Sequence, residues 1–214
     1  MKGFDYSVEI KDSSLYDTLR PVGKKLEQML YKIEYVGTEN IPENGGFILA
    51  ANHINALDPV FIAVGMEKRQ LHFMGKKELF ENPVVKYFLT KLNGFPIVRG
   101  SADTAALDYA IRVVKEGNVL GIFPEGTRSK DYKPARAKSG VAMIAHEAKA
   151  DVLPVSLYTS DNLKKHTKLT IRFGEVIPYE KLGMSEDASR EEIKGSAKMI
   201  MGEIVKLWEM GHCE

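Results

Sequence analysis

Short apolar runs alternate along this chain with longer segments whose apolar residues recur every three or four positions. The runs include GFILAAN (46–52), NVLGIFP (118–124) and VLPVSLY (152–158), whereas DTAALDYAIRVVKEG (103–117) has the helical period. This alternation predicts an α/β fold in which helices flank a layered, mostly parallel or mixed sheet. NVLGIFP is apolar almost throughout, which is typical of a strand covered on both faces.

The two ends of the chain have a different pattern from the middle. Residues 15–33 and 188–210 carry long helical stripes, and Pro21 predicts either a new helix or a kink within the first of them. We therefore divide the chain into an N-terminal helical segment (1–34), an α/β domain (35–180) and a C-terminal helix (181–214) packed on or beside that domain. A chain of 214 residues is long enough to bury a sizeable core.

Composition restricts the possible partners and compartments. The formal net charge is +1, so no global field favours nucleic acid. Cys213 is the only cysteine, and it excludes an internal disulfide framework or a cysteine metal cluster and favours a reducing cytoplasm. The first residues resemble no signal peptide, and no uncharged apolar run approaches the roughly 18 residues of a transmembrane helix. These features predict a soluble or peripheral protein.

Two polar residues follow directly on predicted strands. His53 ends the run 46–52 and Glu125 ends the run 118–124, and ligands of parallel sheets sit beyond the carboxyl ends of the strands. Asp58 and Pro59 follow His53 within six residues. Asp58 has two interpretations: a helix cap followed by proline in the first turn, or the carboxylate partner of a catalytic histidine.

A local cationic segment lies between residues 128 and 138 of this otherwise neutral protein. It has one acid, Asp131, and five basic residues: Arg128, Lys130, Lys133, Arg136 and Lys138. A charge run is often only a solvated face. This one follows a predicted strand at the ligand edge of the sheet, where arginines suit bidentate phosphate recognition, and Arg99 emerges from a strand of its own.

Other chemistries lack their sequence patterns. There is no G-x-S-x-G turn around Ser139, and Cys213 lies in a tail that we expect to fray. The histidines show no metal-ligand spacing, and neither phosphate-binding glycine motif is present. What remains is a histidine base with a carboxylate to orient it, next to a cationic site for an anionic substrate.

Four short segments carry a family resemblance. NHINALD (52–58), GFPIVR (94–99), FPEGTRS (123–129) and LPV (153–155) resemble, in order and separation, the four blocks of the glycerophospholipid acyltransferases. The pattern is most similar to that of the bacterial 1-acylglycerol-3-phosphate (lysophosphatidic acid) type. A lone H-x-x-x-x-D is weak, but its combination with FPEGTRS is highly specific.

The resemblance assigns roles to individual positions. It implies that His53 is the general base and that Asp58 orients and polarises it. Arg99 matches the arginine of the second block, which contacts the phosphate of the acceptor. Pro154 matches the proline of the fourth block, a structural or acyl-pocket position. The third block, which helps to bind the glycerol phosphate, matches Glu125, Gly126, Thr127 and Arg128. Lys138 matches a basic residue that often follows that block.

The resemblance also implies the reaction and its partners. An acyl group would move from acyl-CoA or acyl-carrier protein to the 2-hydroxyl of 1-acylglycerol-3-phosphate, giving phosphatidic acid, with no covalent acyl-enzyme, no metal and no cofactor. The protein would meet its lysophospholipid at a membrane surface, as a cytoplasmic protein peripheral to the inner face of the cell membrane. Three alternatives stay open: a different lysolipid acceptor, a histidine-dependent thioesterase or other hydrolase, and a non-catalytic lipid-binding module.

The N-terminal segment departs from the family pattern. Many members have apolar N-terminal segments that enter the membrane, whereas residues 1–34 here carry six basic and six acidic residues. The stripe at 15–33 is therefore either a packing face or a lipid anchor. The C-terminal stripe, which includes Ile200, Ile204 and Trp208, has the same two interpretations.

Overall fold

The computed structural model describes residues 4–98, 103–164 and 166–213. One seven-stranded sheet runs through it, formed by β1 (Lys32–Val36), β2 (Phe47–Ala51), β3 (Leu71–Lys76), β4 (Gly94–Ile97), β5 (Val119–Ile122), β6 (Val152–Tyr158) and β7 (Lys168–Phe173). The strand order is β1-β7-β6-β2-β5-β3-β4. β6 and β7 pair antiparallel and the other neighbours are parallel, which confirms the predicted mostly parallel, mixed sheet.

Helices cover both faces of this sheet. They are α1 (Ser14–Leu30), α2 (Asp58–Gly65), α3 (Pro83–Lys91), α4 (Thr104–Lys115), α5 (Gly140–Ala148) and α6 (Arg190–Glu209), with short 3-10 turns at Thr38–Asn40, Lys77–Phe80 and Tyr179–Leu182. β2 shows why its run is apolar throughout. Ile48 and Ala50 join the core that contains α4, α5 and α6, whereas Phe47 and Leu49 join the core that contains α2.

The N-terminal stripe forms one helix. α1 runs through Pro21, so the prediction that this proline starts a new helix is wrong. Contacts just before the proline hold the helix in place: Arg20 donates hydrogen bonds to the carbonyls of Glu67 and Arg69, and the Leu71 amide donates to the Tyr16 hydroxyl at 3.2 Å. Tertiary contacts thus outweigh the local cost of a proline within the helix.

The C-terminal stripe is a packing face. Ala197, Ile200 and Ile204 are buried in the core of α4, α5 and α6. A capping box starts α6, since Ser189 accepts from the Glu192 amide at 3.2 Å and Glu192 accepts from the Ser189 amide at 2.7 Å. No helix within the described ranges is both long enough and apolar enough to span a membrane.

The tail after α6 is ordered against β7, so the expectation that it frays is wrong. Arg172 of β7 donates hydrogen bonds to the Gly211 carbonyl at 3.0 Å and to Cys213 Sγ at 3.2 Å. Lys168 donates to the Cys213 carbonyl at 2.8 Å. A buried arginine needs acceptors, and the tail supplies them.

Candidate active site

The loop after β2 holds His53 against Asp58. His53 Nδ1 lies 2.8 Å from Asp58 Oδ2, and the same oxygen accepts from the amides of Ile54 and Asn55 at 2.7 and 2.8 Å. The Asp58 carboxylate therefore points back into the loop and makes no capping hydrogen bond to α2. The capping interpretation of Asp58 is wrong, and the structure brings together the two side chains that the sequence singled out.

Asp58 is completely buried where it meets His53. Burial raises the pKa of the Asp58 carboxyl group, against the opposing effect of its hydrogen bonds from His53, Asn55 and Ile54. Water cannot screen a charge at this depth, so a carboxylate here interacts strongly with a positive charge on His53. The pair is thus suited to a histidine that gains a proton during the reaction.

Aromatic packing fixes the plane of the imidazole. The His53 ring stacks on Phe123 with 4.0 Å between ring centroids and 15° between planes. Phe123 in turn stacks on Phe73 of β3 at 5.7 Å and 11°. The His53 side chain is 11% exposed. With Nδ1 directed to Asp58, Nε2 is the ring nitrogen for exchange with a substrate.

Asn52 is a site residue that sequence reasoning missed. Its side chain is completely buried, donates to the Leu157 carbonyl at 3.0 Å and accepts from the Leu157 amide at 2.8 Å. These two bonds tie the end of β2 to β6 immediately before His53. The available signal was a polar residue at the end of an apolar run, because such a residue must find partners when it is buried.

Glu125 joins the loop after β5 to the loop that carries His53. Glu125 Oε2 accepts from the His53 amide at 3.3 Å, and Oε1 accepts from the Ala135 amide at 2.9 Å. The Ser129 amide donates to the His53 carbonyl at 2.7 Å. Burial raises the pKa of Glu125, against the hydrogen bonds from both amides. Glu125 thus links the two loops, because each of its carboxylate oxygens accepts a hydrogen bond from a backbone amide.

Gly126 adopts a left-handed backbone conformation that favours glycine. Its φ is +70°, and a Cβ there would lie 2.9 Å from Lys138 Nζ. The Lys138 amide donates to the Pro124 carbonyl at 2.8 Å, which brings the lysine back over this loop. Lys138 and Arg128 are both exposed. Arg99 was also predicted to contact the phosphate, but it lies outside the described residues.

An apolar cavity of about 550 Å³ opens beside His53. Its polar lining includes His53, Thr127 and Arg128, with Arg20 and Lys76 as further cations. Its apolar lining comes from α1, α2, β3, the Lys77–Phe80 turn and α3. Residues of the apolar part include Leu19, Val60, Phe73, Leu79, Leu89 and Leu92. A mostly apolar cavity with a few convergent polar groups is the usual form of a ligand site.

Pro154 lies away from this cavity, in the core. It is buried on β6, its carbonyl accepts from the Gly174 amide at 2.8 Å, and a Cβ on Gly174 would meet its ring at 3.1 Å. Its surroundings fit the structural role rather than the acyl-pocket role. Across the described ranges, no group of three or more His, Cys, Asp or Glu side chains is arranged to hold a metal ion.

A histidine–carboxylate pair at the carboxyl edge of an α/β sheet, beside cations and an apolar cavity, suits histidine-based chemistry on a substrate with an apolar and an anionic part. Residues 32–158 match the family model described as Acyltransferase, and this chain belongs to that family.

Particular relatives carry more specific names. The chain is 30% identical over 178 residues to the 1-acyl-sn-glycerol-3-phosphate acyltransferase of Bacillus subtilis, covering 82% of this chain and 87% of that protein. It is 32% identical over 180 residues to the Streptococcus pneumoniae protein of the same name, covering 82% and 66%. The crystal structure of the 1-acyl-sn-glycerophosphate (LPA) acyltransferase, PlsC, from Thermotoga maritima superposes with a TM-score of 0.72 at 29% identity, over 90% of this chain and 77% of that one.

Proposed function

We propose that this chain is a 1-acylglycerol-3-phosphate O-acyltransferase, which transfers a fatty acyl group from a thioester to the 2-hydroxyl of lysophosphatidate and so forms phosphatidic acid. The names of its relatives support this substrate. The structural observation that carries the proposal is the His53–Asp58 pair, whose histidine lines an apolar cavity beside Thr127 and Arg128.

In the proposed reaction, His53 is the general base. Nδ1–H donates to Asp58, so Nε2 is free to take the proton of the 2-hydroxyl as that oxygen attacks the thioester carbonyl carbon. The new C–O bond forms, the C–S bond breaks, and the imidazolium returns its proton to the departing thiolate. A positioned base of this kind contributes roughly 10²–10⁴-fold to the rate. No covalent acyl-enzyme and no resident cofactor take part, and either acyl-CoA or acyl-carrier protein serves as the donor.

The remaining polar residues hold the acceptor. Arg128 and Lys138 flank the loop of Gly126 and Thr127, and together with Arg99 they bind the phosphate of the lysolipid. Arginine suits this task because its planar fork makes two parallel hydrogen bonds to phosphate oxygens. Glu125 acts indirectly by holding the His53 amide in place.

The apolar part of the cavity accommodates an acyl chain. Burial of methylene groups against leucine and phenylalanine side chains stabilises the complex by about 0.8 kcal/mol per CH₂. A substrate with such a chain resides in lipid, so we place the protein in the cytoplasm, bound peripherally at the inner face of the cell membrane.

Product analysis with and without acceptor tests this function. Purified protein is incubated with an acyl thioester, and free thiol and acylated lipid are measured in the presence and absence of lysophosphatidate. We expect thiol release only with acceptor, matched one to one by phosphatidic acid, and neither product from a His53→Ala variant. Thiol release without acceptor would identify a hydrolase, and acylation only of a different lysolipid would identify another acceptor. Binding without any turnover would identify a lipid-binding module.

A further inference from the structure

Helix α3 has an apolar surface that none of the described residues covers. Its sequence is PVVKYFLTK, and none of its residues is buried. Val84 is 63% exposed, Tyr87 57% and Phe88 48%. A helix with apolar residues on most of its circumference is normally enclosed by protein or by lipid, and large exposed apolar patches mark interaction sites.

This exposed helix borders the opening of the active-site cavity. Leu79, in the Lys77–Phe80 turn, and Val22, on α1, both line the cavity and are also at least half exposed. Residues that do both must lie at its mouth. Leu26 and Met29 extend the exposed apolar surface along α1. The α3 face, which we define as Leu79, Val84, Val85, Tyr87 and Phe88, therefore adjoins the entrance to the site.

The same segment is basic. Residues 76–92 contain four lysines and two glutamates, of which Lys76 and Glu78 form an ion pair at 3.0 Å, in a protein whose net charge is only +1. Lys77 and Lys91 are exposed at the two ends of the segment. Apolar side chains with lysines beside them and an aromatic residue bearing a hydroxyl group form the composition that suits the boundary between lipid headgroups and acyl chains, and anionic headgroups attract the lysines.

We propose that the α3 face seats the protein on a phospholipid bilayer, with α3 lying in the interface and Val84 and Phe88 immersed at the headgroup–acyl boundary. The proposal rests on the proposed function, because the acceptor is a lipid and the mouth of the cavity would then open onto the membrane. A lysolipid could enter without exposing its acyl chain to water. A second protein copy on this face would cover that mouth, which is why lipid is the favoured occupant.

Vesicle flotation with matched variants tests the α3 face. The test variant is Val84→Ser/Phe88→Ser, whose two positions are four residues apart and share one side of the helix. The control variant is Met143→Ser/Met199→Ser, whose side chains are each 40% exposed on α5 and α6, the helices of the other core. Both pairs remove exposed apolar surface, but only the first alters the α3 face.

We expect wild type and control to float with phosphatidylcholine vesicles, and more strongly when phosphatidylglycerol is added. The partition coefficient of the α3 variant should fall at least about tenfold, a change of about 1.4 kcal/mol. A Val84→Leu/Phe88→Leu variant should retain partitioning, which separates loss of apolar surface from loss of fold. Flotation of the serine variant equal to that of wild type would overturn the proposal.

Activity measurements keep this proposal distinct from the proposed function. With a short-chain, monomeric lysophosphatidate, the serine variant should turn over like wild type, whereas with vesicle-embedded lysophosphatidate it should be slower by a factor similar to its loss of partitioning. His53→Ala should float normally and turn over neither substrate. Flotation that depends on α3 without any acyl transfer would refute the function alone. A halved mass of the serine variant in light scattering would show that a second copy occupies the face and would refute the lipid proposal.

Discussion

At the scale of single residues, the site gives His53 little freedom. Asp58 holds one ring nitrogen, Phe123 holds the ring plane, and Glu125 and Ser129 hold the backbone of the same residue. Restraint of this kind reduces the entropy that must be lost when the reactants meet, which is a large part of the rate enhancement of many enzymes. The geometry of the imidazole is therefore set before any substrate arrives.

Replacement of His53 should abolish transfer. We expect His53→Ala to lose at least about 100-fold in kcat with little change in KM, because a positioned base contributes roughly 10²–10⁴-fold. His146→Ala, at a partly buried histidine on α5 that contacts Tyr179, is the matched control and should keep wild-type turnover. Steady-state kinetics gives both numbers. A His53→Ala variant with more than about a tenth of wild-type turnover would contradict the role of this residue as the base.

Two substitutions of Asp58 separate the effect of its negative charge on His53 from its hydrogen bonds to the loop amides. Asn at this position can still accept from the Ile54 and Asn55 amides but cannot stabilise a cationic imidazole, so Asp58→Asn should fold and lose about 100-fold or more in kcat. Asp58→Ala should also lose stability, by about 1–3 kcal/mol for each backbone amide left buried without an acceptor. Urea unfolding compares the two variants. Equal destabilisation of both would show that the loop does not depend on these hydrogen bonds.

His72 predicts an acid-sensitive core. It is 3% exposed on β3, its Nδ1 lacks a hydrogen-bond partner among the described residues, and burial lowers the pKa of its imidazole to about 4. The stabilising contribution of the neutral ring is complete above the unfolded pKa of about 6.5 and is lost as the pH falls towards 4, since the unfolded state takes up the proton first.

Over that whole window the loss is about 3 kcal/mol, of which about 2 kcal/mol falls between pH 6.5 and pH 5. A His72→Leu variant should lack this part of the pH dependence. Urea unfolding of wild type and variant at pH 7 and pH 5 measures the difference. Parallel losses of unfolding free energy in the two proteins would assign the acid sensitivity to other groups.

At the scale of secondary-structure elements, the sequence predicted much of the fold and part of the site. Apolar runs and helical periods identified the strands and helices, and the parallel neighbours β2 and β5 bring His53 and Glu125 to one edge. The order of the strands was not predictable, because it depends on packing between distant segments. Asn52 illustrates the point, since its partner Leu157 lies 105 residues away.

The position of the His53 ring should depend on Gly121 of β5 through two intervening aromatic rings. A Cβ there would lie 2.3 Å from the ring of Phe73, which stacks on Phe123, which stacks on His53. Gly121→Ala should displace these rings and lower kcat by about tenfold while the protein remains folded.

Gly202→Ala on α6 is the matched control for Gly121→Ala. Nothing lies within 4 Å of the added Cβ, so activity should be unchanged and the helix stabilised by up to about 1 kcal/mol. Turnover and melting temperature of both variants check this pair. Wild-type turnover in Gly121→Ala would show that the ring stack does not transmit the displacement to His53.

At the scale of the whole molecule, the net charge is only +1, but basic residues are concentrated in two segments near the candidate active site. Five basic residues lie between residues 128 and 138, and four lysines lie between residues 76 and 92. Arg128, of the first group, and Lys76, of the second, both line the cavity. Such local fields act on an anionic lipid at short range without making the protein bind polyanions indiscriminately.

Substitutions in the cationic segment 128–138 should weaken binding of the acceptor and not of the acyl donor. Removal of a charge-assisted hydrogen bond costs roughly 1.5–3 kcal/mol, or about 10- to 150-fold in binding. Arg128→Ala and Arg99→Ala should therefore each raise the KM for lysophosphatidate at least about tenfold. Arg128→Lys should also be impaired, because a point charge cannot replace a bidentate fork. Lys130→Ala and Lys133→Ala, at exposed positions of the same segment, are the matched controls and should change the KM little.

The decisive comparison is between lysophosphatidate and a monoacylglycerol, which lacks the phosphate. Wild type should strongly prefer the phosphorylated acceptor, and the arginine variants should lose most of that preference because they bind the shared glycerol and acyl parts as before. Lys138→Ala should show a smaller loss, since its ammonium lies over Gly126 and makes a less directional contact than an arginine. An unchanged preference in both arginine variants would instead make the segment a docking surface for an acidic carrier protein or a solvated face, and the phosphate would have to bind elsewhere at the edge of the sheet.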